Sequence, residues 1–352
     1  MEKTHNIEWM DTLRALATFG VILIHVSSPV VKMAYGGKQM DYWWVGNFID
    51  SSIRFSVSTF LMLSGAALLS KRYTLIDFYK KRFARVLVPF LFWMVAYWIF
   101  NWYNLDAGNQ PHGLKPIYHW AINIFVEKGI SMHFWFIYML LFLYIFTPFL
   151  GWWIQKRSNK TIGYVLLGWV VLNFAHMVGL IHTDFPPFVN KIYMNIRYGG
   201  YMILGYYLSK RNTSGLKYII SSAVLFIASI LFTAIITYYA SKRANEFQEI
   251  YYSNLSINAM IQCIAIFILI KNTRIKNKVL SWIRDIVSKY SFGIYLVHIM
   301  VIGVFYLHDF FWTMCHPLIS IPAVAISTLI VSTLIVYILQ KTPVLKYISG
   351  YK

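Results

Sequence analysis

The chain has 352 residues, is 58% hydrophobic and 13% charged, and carries 32 Lys and Arg against 13 Asp and Glu, a formal charge of +19. Soluble proteins run at about 45–50% apolar and roughly 25% charged, so this composition excludes a disordered protein, a coiled coil and a disulfide scaffold. The apolar residues fall in blocks of about 18–25, enough to cross a bilayer as helices, and the positions of the charges must decide between nucleic acid and membrane topology.

Ten membrane helices are expected, near residues 10–29, 50–70, 85–103, 133–154, 161–181, 192–209, 217–240, 254–271, 289–307 and 318–340. The expected fold class is therefore all-α, a polytopic membrane protein in one domain over residues 1–352, and no appended soluble domain is expected. The first block begins near Met10, is too long for a signal-peptide core and lacks a small-residue cleavage site, so it is expected to be retained.

That first helix carries a polar stripe. Arg14 and His25 are eleven residues apart, about three turns, and point within roughly 20° of each other. Asp11, Thr18 and Ser28 fall near the same line, among Leu, Ile, Val, Ala and Phe. Ionisable groups inside a bilayer are functional candidates by default. The plainer reading pairs Asp11 with Arg14 at i,i+3 and lets His25 pack between helices, but it leaves the shared stripe unexplained.

The second helix repeats the pattern, with Asn47, Asp50, Arg54, Ser58 and Gly65 on one face. Arg54 can neutralise an anion or a developing oxyanion, or simply pair with Asp50 at i,i+4. Gly65 marks a surface that another helix can approach closely. The inner loop that follows reads Lys80-Lys81-Arg82-Phe83-Ala84-Arg85. It is a topological signal. Arg82 and Arg85 at a helix start can also face one way and hold phosphate.

His133 opens the fourth helix in His133-Phe134-Trp135-Phe136, either as an interfacial belt or as a site. The outer segments 104–131 and 182–191 are rich in Trp, Tyr, Phe, His and Asn, which suits sugar stacking and a membrane interface alike. Late in the chain, Tyr295 and His298 share a face of the ninth helix, for a Tyr–His bond between helices or a direct role. Cys263 and Cys315 fit no metal or redox spacing and read as small membrane-buried side chains. No HExxH, CxxC, GxSxG or Walker pattern occurs, so metal, serine-hydrolase and nucleotide-hydrolysing readings lack support.

With the N-terminus placed in the cytoplasm, the inner segments hold 22 of the basic residues and the outer ones 8, leaving Arg14 and Arg54 inside spans. This follows the positive-inside rule with the parity that ten spans require, so both termini are expected in the cytoplasm. The basic excess then needs no nucleic acid.

Taken in this order, the motifs resemble the integral-membrane acyltransferase family 3, whose members acylate surface sugars and related acceptors. The resemblance covers nearly the whole chain. It rests on Asp11-Thr-Leu-Arg14-Ala-Leu with His25 as an Arg-x10-His signature, Arg54 followed by Phe60-Leu-Met-Leu-Ser64-Gly65, and Arg82-Phe-Ala-Arg85. His133-Phe-Trp135-Phe136 with Pro148 closing the helix, and Ser291-Phe-Gly-Ile-Tyr295-Leu-Val-His298, complete it. Within the family the chain looks most like the type that O-acetylates enterobacterial common antigen. Ser58 stands where many members have Pro, so nothing in the sequence enforces a bend there.

The resemblance implies a multi-pass protein of the bacterial cytoplasmic (inner) membrane that moves an acyl group, expected to be acetyl, from cytoplasmic acyl-CoA to a glycan or lipid-linked sugar. Acetyl-CoA is then a co-substrate and no cofactor is bound permanently. It implies that Arg82 and Arg85 hold the CoA phosphates and that pantetheine runs along the Arg14–His25 stripe. His25 would act as general base or as a transient acyl-histidine, with Arg14 anchoring the arm or staying paired. Asp11, Arg54, His133, Trp135, Tyr295 and His298 are candidates to bind substrate or steady an oxyanion. A homo-oligomer in the bilayer is compatible with all of this. The rival reading is a transporter or flippase for a glycan or lipid-linked intermediate, since intramembrane Arg, Asp and His also mark proton-coupled pathways.

Overall fold

The structure is a computed structural model and describes residues 2–37, 39–104 and 130–350. The aromatic-rich stretch 105–129 expected to face outward lies outside the described residues. Among the described residues every regular element is a helix. They are α1 (Glu2–Ala34), α2 (Met40–Ser52), α3 (Ser56–Leu68), α4 (Leu75–Asn104), α5 (Trp135–Ile154) and α6 (Asn159–Met177), then α7 (Pro187–Lys210), α8 (Leu216–Ala244), α9 (Ile257–Lys271), α10 (Lys278–Leu307) and α11 (Pro317–Lys341). Among the described residues eight stretches are long and apolar enough to cross a membrane, and the α2–α3 pair counts as one of them. α6 and α7, 19 and 24 residues long, occupy the fifth and sixth expected positions but are not among those eight. The chain is thus a polytopic membrane protein, helical in every regular element of its described residues.

Local chemistry sets several boundaries. The Ser158 side chain accepts the Thr161 N–H at the start of α6, and Asn277 accepts from Val279 and Leu280 at the start of α10. α8 stops at Asn245, which takes the left-handed conformation at φ 54°. Cys263 is buried, whereas Cys315, expected within the membrane, is exposed just after the turn Trp312–Met314.

α1 is the central helix, packing on α2, α3, α9, α10 and α11. Its polar stripe therefore faces protein instead of lipid. The most extensive helix pair is α3 with α7, made possible by glycine. A Cβ on Gly65 would overlap the backbone of Met202, and one on Gly205 would overlap that of Met62. The two helices meet backbone to backbone at both points, as expected for Gly65.

The second span differs from expectation. It starts at Met40, ten residues early, and breaks at Ile53–Phe55 between α2 and α3. The bend precedes Ser58 and needs no proline. Irregular backbone at membrane depth persists only where protein satisfies it. Here the Gln262 side chain on α9 does so twice, accepting the Phe55 N–H at 2.8 Å and donating to the Ser51 carbonyl at 2.9 Å.

One proline also departs from expectation. Pro148 does not close its helix but sits inside α5, which runs on to Ile154. Pro89 likewise lies inside α4. α4 itself begins at Leu75, where Thr74 bonds both the carboxylate and the N–H of Asp77. The Lys80–Arg85 cluster therefore rides on helix, not loop.

Both ends of the described chain lie at one face of the bundle. Trp93 Nε1–H donates to the Ile348 carbonyl at 3.1 Å, and Gly350 borders the same cavity as Asp11 and Arg14. Lys71, Arg82, Arg85 and Lys289 make this the basic end of the bundle.

Candidate active site

A cavity of about 540 Å³ opens at the basic end between α1, α3, α4, α5 and α10. Its volume falls in the roughly 300–1,000 Å³ range of small-molecule sites. Arg14, Lys71, Arg82, Arg85 and Lys289 line it against two carboxylates, Asp11 and Asp285. Both acids already hold an arginine: Asp11 bonds Arg14 at 2.6 Å, and Asp285 bonds Arg284 at 2.8 Å. The surplus of cations makes the cavity attractive to an anion.

Arg82 and Arg85 share this wall as the sequence suggested, but not at a helix start. α4 begins seven residues before Arg82, so the backbone N–H groups there are spent within the helix. Any phosphate is left to side chains, joined by Lys71 and Lys289, which sequence reasoning had counted only as topology.

Asp11, Arg14 and Ser288 form a closed triangle. Arg14 Nη1 donates to Asp11 at 2.6 Å and to Ser288 Oγ at 2.9 Å, and Ser288 donates to Asp11 at 2.6 Å. The expected ion pair is present and is tied across to α10. Both charged side chains keep about a quarter to a third of their surface exposed, at 33% for Arg14 and 26% for Asp11. Thr18, next on the stripe, is buried and bonds back to the Arg14 carbonyl at 2.8 Å.

Phe60, Phe136 and Tyr295 also line this cavity. Behind Phe60 and Tyr295 lies a closed gap, too small for a water molecule, among Thr18, Ile22, Ile294 and His298. His298 in turn packs on two imidazoles, His25 at 5.3 Å and His133 at 5.2 Å between ring centroids. Three histidines from α1, α10 and the turn before α5 thus meet in the bundle interior. His133 and His298 are sealed, at 1% and 0% exposure, whereas His25 is only half-buried and lines neither cavity. Among the described residues no group of three or more His, Cys, Asp or Glu could hold a metal ion.

Tyr295 and His298 share a face but are not joined hydroxyl to imidazole. The Tyr295 hydroxyl donates to the His133 carbonyl, locking α10 to the Met132–Phe134 turn. The Tyr295 carbonyl receives the ring of His298 at 2.6 Å. His133 Nδ1 shares a hydrogen bond with Ser131 Oγ at 2.8 Å. Trp135 turns away from the three histidines, packing on Tyr198 at 5.5 Å with 39% of its surface exposed.

Arg54 is also placed apart from the cavity, at the break between α2 and α3. It is 8% exposed and bonds the Asp50 carboxylate, itself 1% exposed. It further donates to the Asp50 and Tyr252 carbonyls at 3.0 and 3.2 Å, and lies 4.3 Å above the Tyr252 ring. Tyr252 then donates to Asn47 Oδ1 at 2.5 Å. The i,i+4 pairing read from sequence is present, and most of the Arg54 donors are occupied by protein.

Sequence reasoning missed Ser288, Lys71, Lys289, Tyr252 and Gln262. One signal was available: Ser288, Ser291, Tyr295 and His298 follow the i, i+3, i+7, i+10 spacing of one helix face.

The sequence model of a protein family described as an acyltransferase domain matches residues 7–337. No curated protein and no solved structure matches the chain.

Proposed function

The chain belongs to the acyltransferase family, and on that premise we propose that it is a membrane O-acyltransferase. It takes an acetyl group from acyl-CoA at the basic end, which is the cytoplasmic one, and passes it to a hydroxyl of a surface or lipid-linked glycan at the other. Enterobacterial common antigen is one lipid-linked glycan of that class. The observation that carries this reading is a cation-lined cavity whose inner wall, Phe60 and Tyr295, also borders the closed gap at His298, the residue that packs on His25. Phosphates suit the arginines and lysines at one end. An extended pantetheine arm matches the separation of Arg14 and His25, roughly 16 Å along α1, and Phe60 and Tyr295 must part to admit it.

In the reaction His25 removes the proton of the acceptor hydroxyl as its oxygen bonds to the thioester carbon. The carbon–sulfur bond then breaks, and the CoA thiolate recovers that proton from His25. An imidazole matches this two-way traffic near neutral pH. The half-buried position of His25, outside both cavities, leaves it a side from which an acceptor can approach.

The experiment uses membranes carrying the full chain and labelled acetyl-CoA. Consumption of the donor with label in glycan, lost in His25→Ala at equal expression, is the expected result. Normal product in His25→Ala sinks the catalytic role, and a protein that moves glycan while leaving acetyl-CoA intact is a transporter.

A further inference from the structure

His298 lies directly behind His25, and its hydrogen bonding fixes what it can do. Its Nδ1 is 2.6 Å from the Tyr295 carbonyl oxygen. A carbonyl only accepts, so Nδ1 carries the proton, and in the neutral ring the lone pair is on Nε2. That Nε2 is buried and has no hydrogen-bond partner. A buried polar atom in that state is destabilising unless something completes it.

The neighbours narrow the choice of donor. The Tyr295 hydroxyl is committed to the His133 carbonyl, and the Tyr97 hydroxyl to the Leu296 carbonyl at 3.0 Å. The Thr18 hydroxyl is committed to Arg14. Val21, Ile22 and Ile294 offer nothing polar. The rings of His25 and His133 remain, both packed on His298. His133 is sealed, bound through Nδ1 to Ser131, and leaves its own Nε2 without a partner, so it competes for this place; His25 is the ring of the two that keeps partial access to the outside, where a substrate can meet it.

We propose that His298 is a positioning residue that accepts the ring N–H of His25 on its Nε2, and so leaves the lone pair of His25 on the nitrogen facing the acceptor hydroxyl. This rests on the acyl-transfer reading above. Tyr295 holds His298 in one tautomer, His298 holds His25 in one tautomer, and His25 meets the substrate. When His25 takes the hydroxyl proton, the imidazolium N–H still points at a lone pair, so no buried donor is stranded. The proton count at His298 does not change. Such an orienting partner acts through geometry and tautomer, as the carboxylate does in a Ser-His-Asp triad.

The test compares His298→Leu with His298→Gln in the purified full chain, folded as judged by thermal unfolding. Leucine fills the space and cannot accept, whereas the glutamine oxygen can accept near the Nε2 position. The expected result is a fall in kcat on the order of 10²-fold or more for H298L, an unchanged KM for acetyl-CoA, and partial recovery in H298Q. Histidine-selective nitrogen NMR supplies a readout independent of turnover: His25 shows one tautomer in the unsubstituted protein and a mixture in H298L. Near-normal kcat in H298L, or H298Q no better than H298L, overturns the proposal, and so does a His25 tautomer that ignores the substitution. If the unsubstituted protein transfers no acetyl group, the acyl-transfer reading fails. The nitrogen spectra then still decide whether His298 orients His25.

Discussion

Arg14 and Ser288, 274 positions apart, are joined by a 2.9 Å hydrogen bond, and both bind the same oxygen of Asp11. That triangle fastens the first turns of the membrane portion of α1 to α10 and aims Arg14 along the cavity wall. Ser288→Ala removes two bonds without removing a charge, so a loss of about 0.5–1.5 kcal/mol per bond is expected. Asp11→Ala leaves Arg14 without its anion and should cost more. Thermal unfolding in detergent reads both. Equal melting temperatures for the two variants would contradict the ranking.

The basic cavity makes a sharper prediction about the donor. If Arg82 and Arg85 hold phosphate, R82A and R85A should each weaken acetyl-CoA binding by about tenfold, the value of a charge-assisted hydrogen bond of roughly 1.5–3 kcal/mol at its low end. The same variants should leave acetyl-pantetheine, which lacks the phosphates, unaffected. Wild-type affinity for acetyl-CoA should also fall as salt rises, because the mouth is open to solvent. Titration calorimetry with the two donors checks this, and equal losses for both would place the arginines elsewhere.

Much of this was legible in the sequence, for a physical reason. The Arg14–His25 stripe, the Asp50–Arg54 pair and the Gly65 contact all lie within one helix, where 3.6 residues per turn converts spacing into direction. The break at Ile53–Phe55 was not legible, because what sustains it is Gln262, more than two hundred positions away. The meeting of His25, His133 and His298 is likewise a product of three separate elements. Sequence presented each histidine singly, with packing as good an explanation as chemistry. The early start of α4 was hidden by its charges, since Lys80–Arg85 reads as a loop by hydropathy yet caps well at Thr74.

Glycine packing between α3 and α7 predicts a contrast within one residue type. Gly65→Ala and Gly205→Ala each push a methyl group into backbone that cannot yield, so losses of about 1–3 kcal/mol are expected. Gly168→Ala, on α6, meets nothing within 4 Å. It should be neutral, or more stable by up to about 1 kcal/mol from helix propensity. Thermal unfolding of the three variants is the measurement. A melting temperature for G65A equal to that of G168A would refute the close approach.

The Arg54–Asp50 pair allows structure and chemistry to be separated. Both groups are buried, so removing one strands the other: Arg54→Ala or Asp50→Ala alone should cost about 3–5 kcal/mol. Removing both charges together, as D50N/R54Q, strands no ion and should cost clearly less than the sum of the single changes. That recovery is the signature of a pair whose main service is to the fold. A role for Arg54 at a developing oxyanion predicts something further, because a neutral glutamine cannot replace its charge there. The double variant would then regain stability while kcat stayed low with an unchanged KM. The geometry favours the structural outcome, since Asp50, two carbonyls and the Tyr252 ring already surround the guanidinium. Stability and kcat are therefore expected to return together in D50N/R54Q, and a stable but inactive double variant would instead assign Arg54 to the reaction.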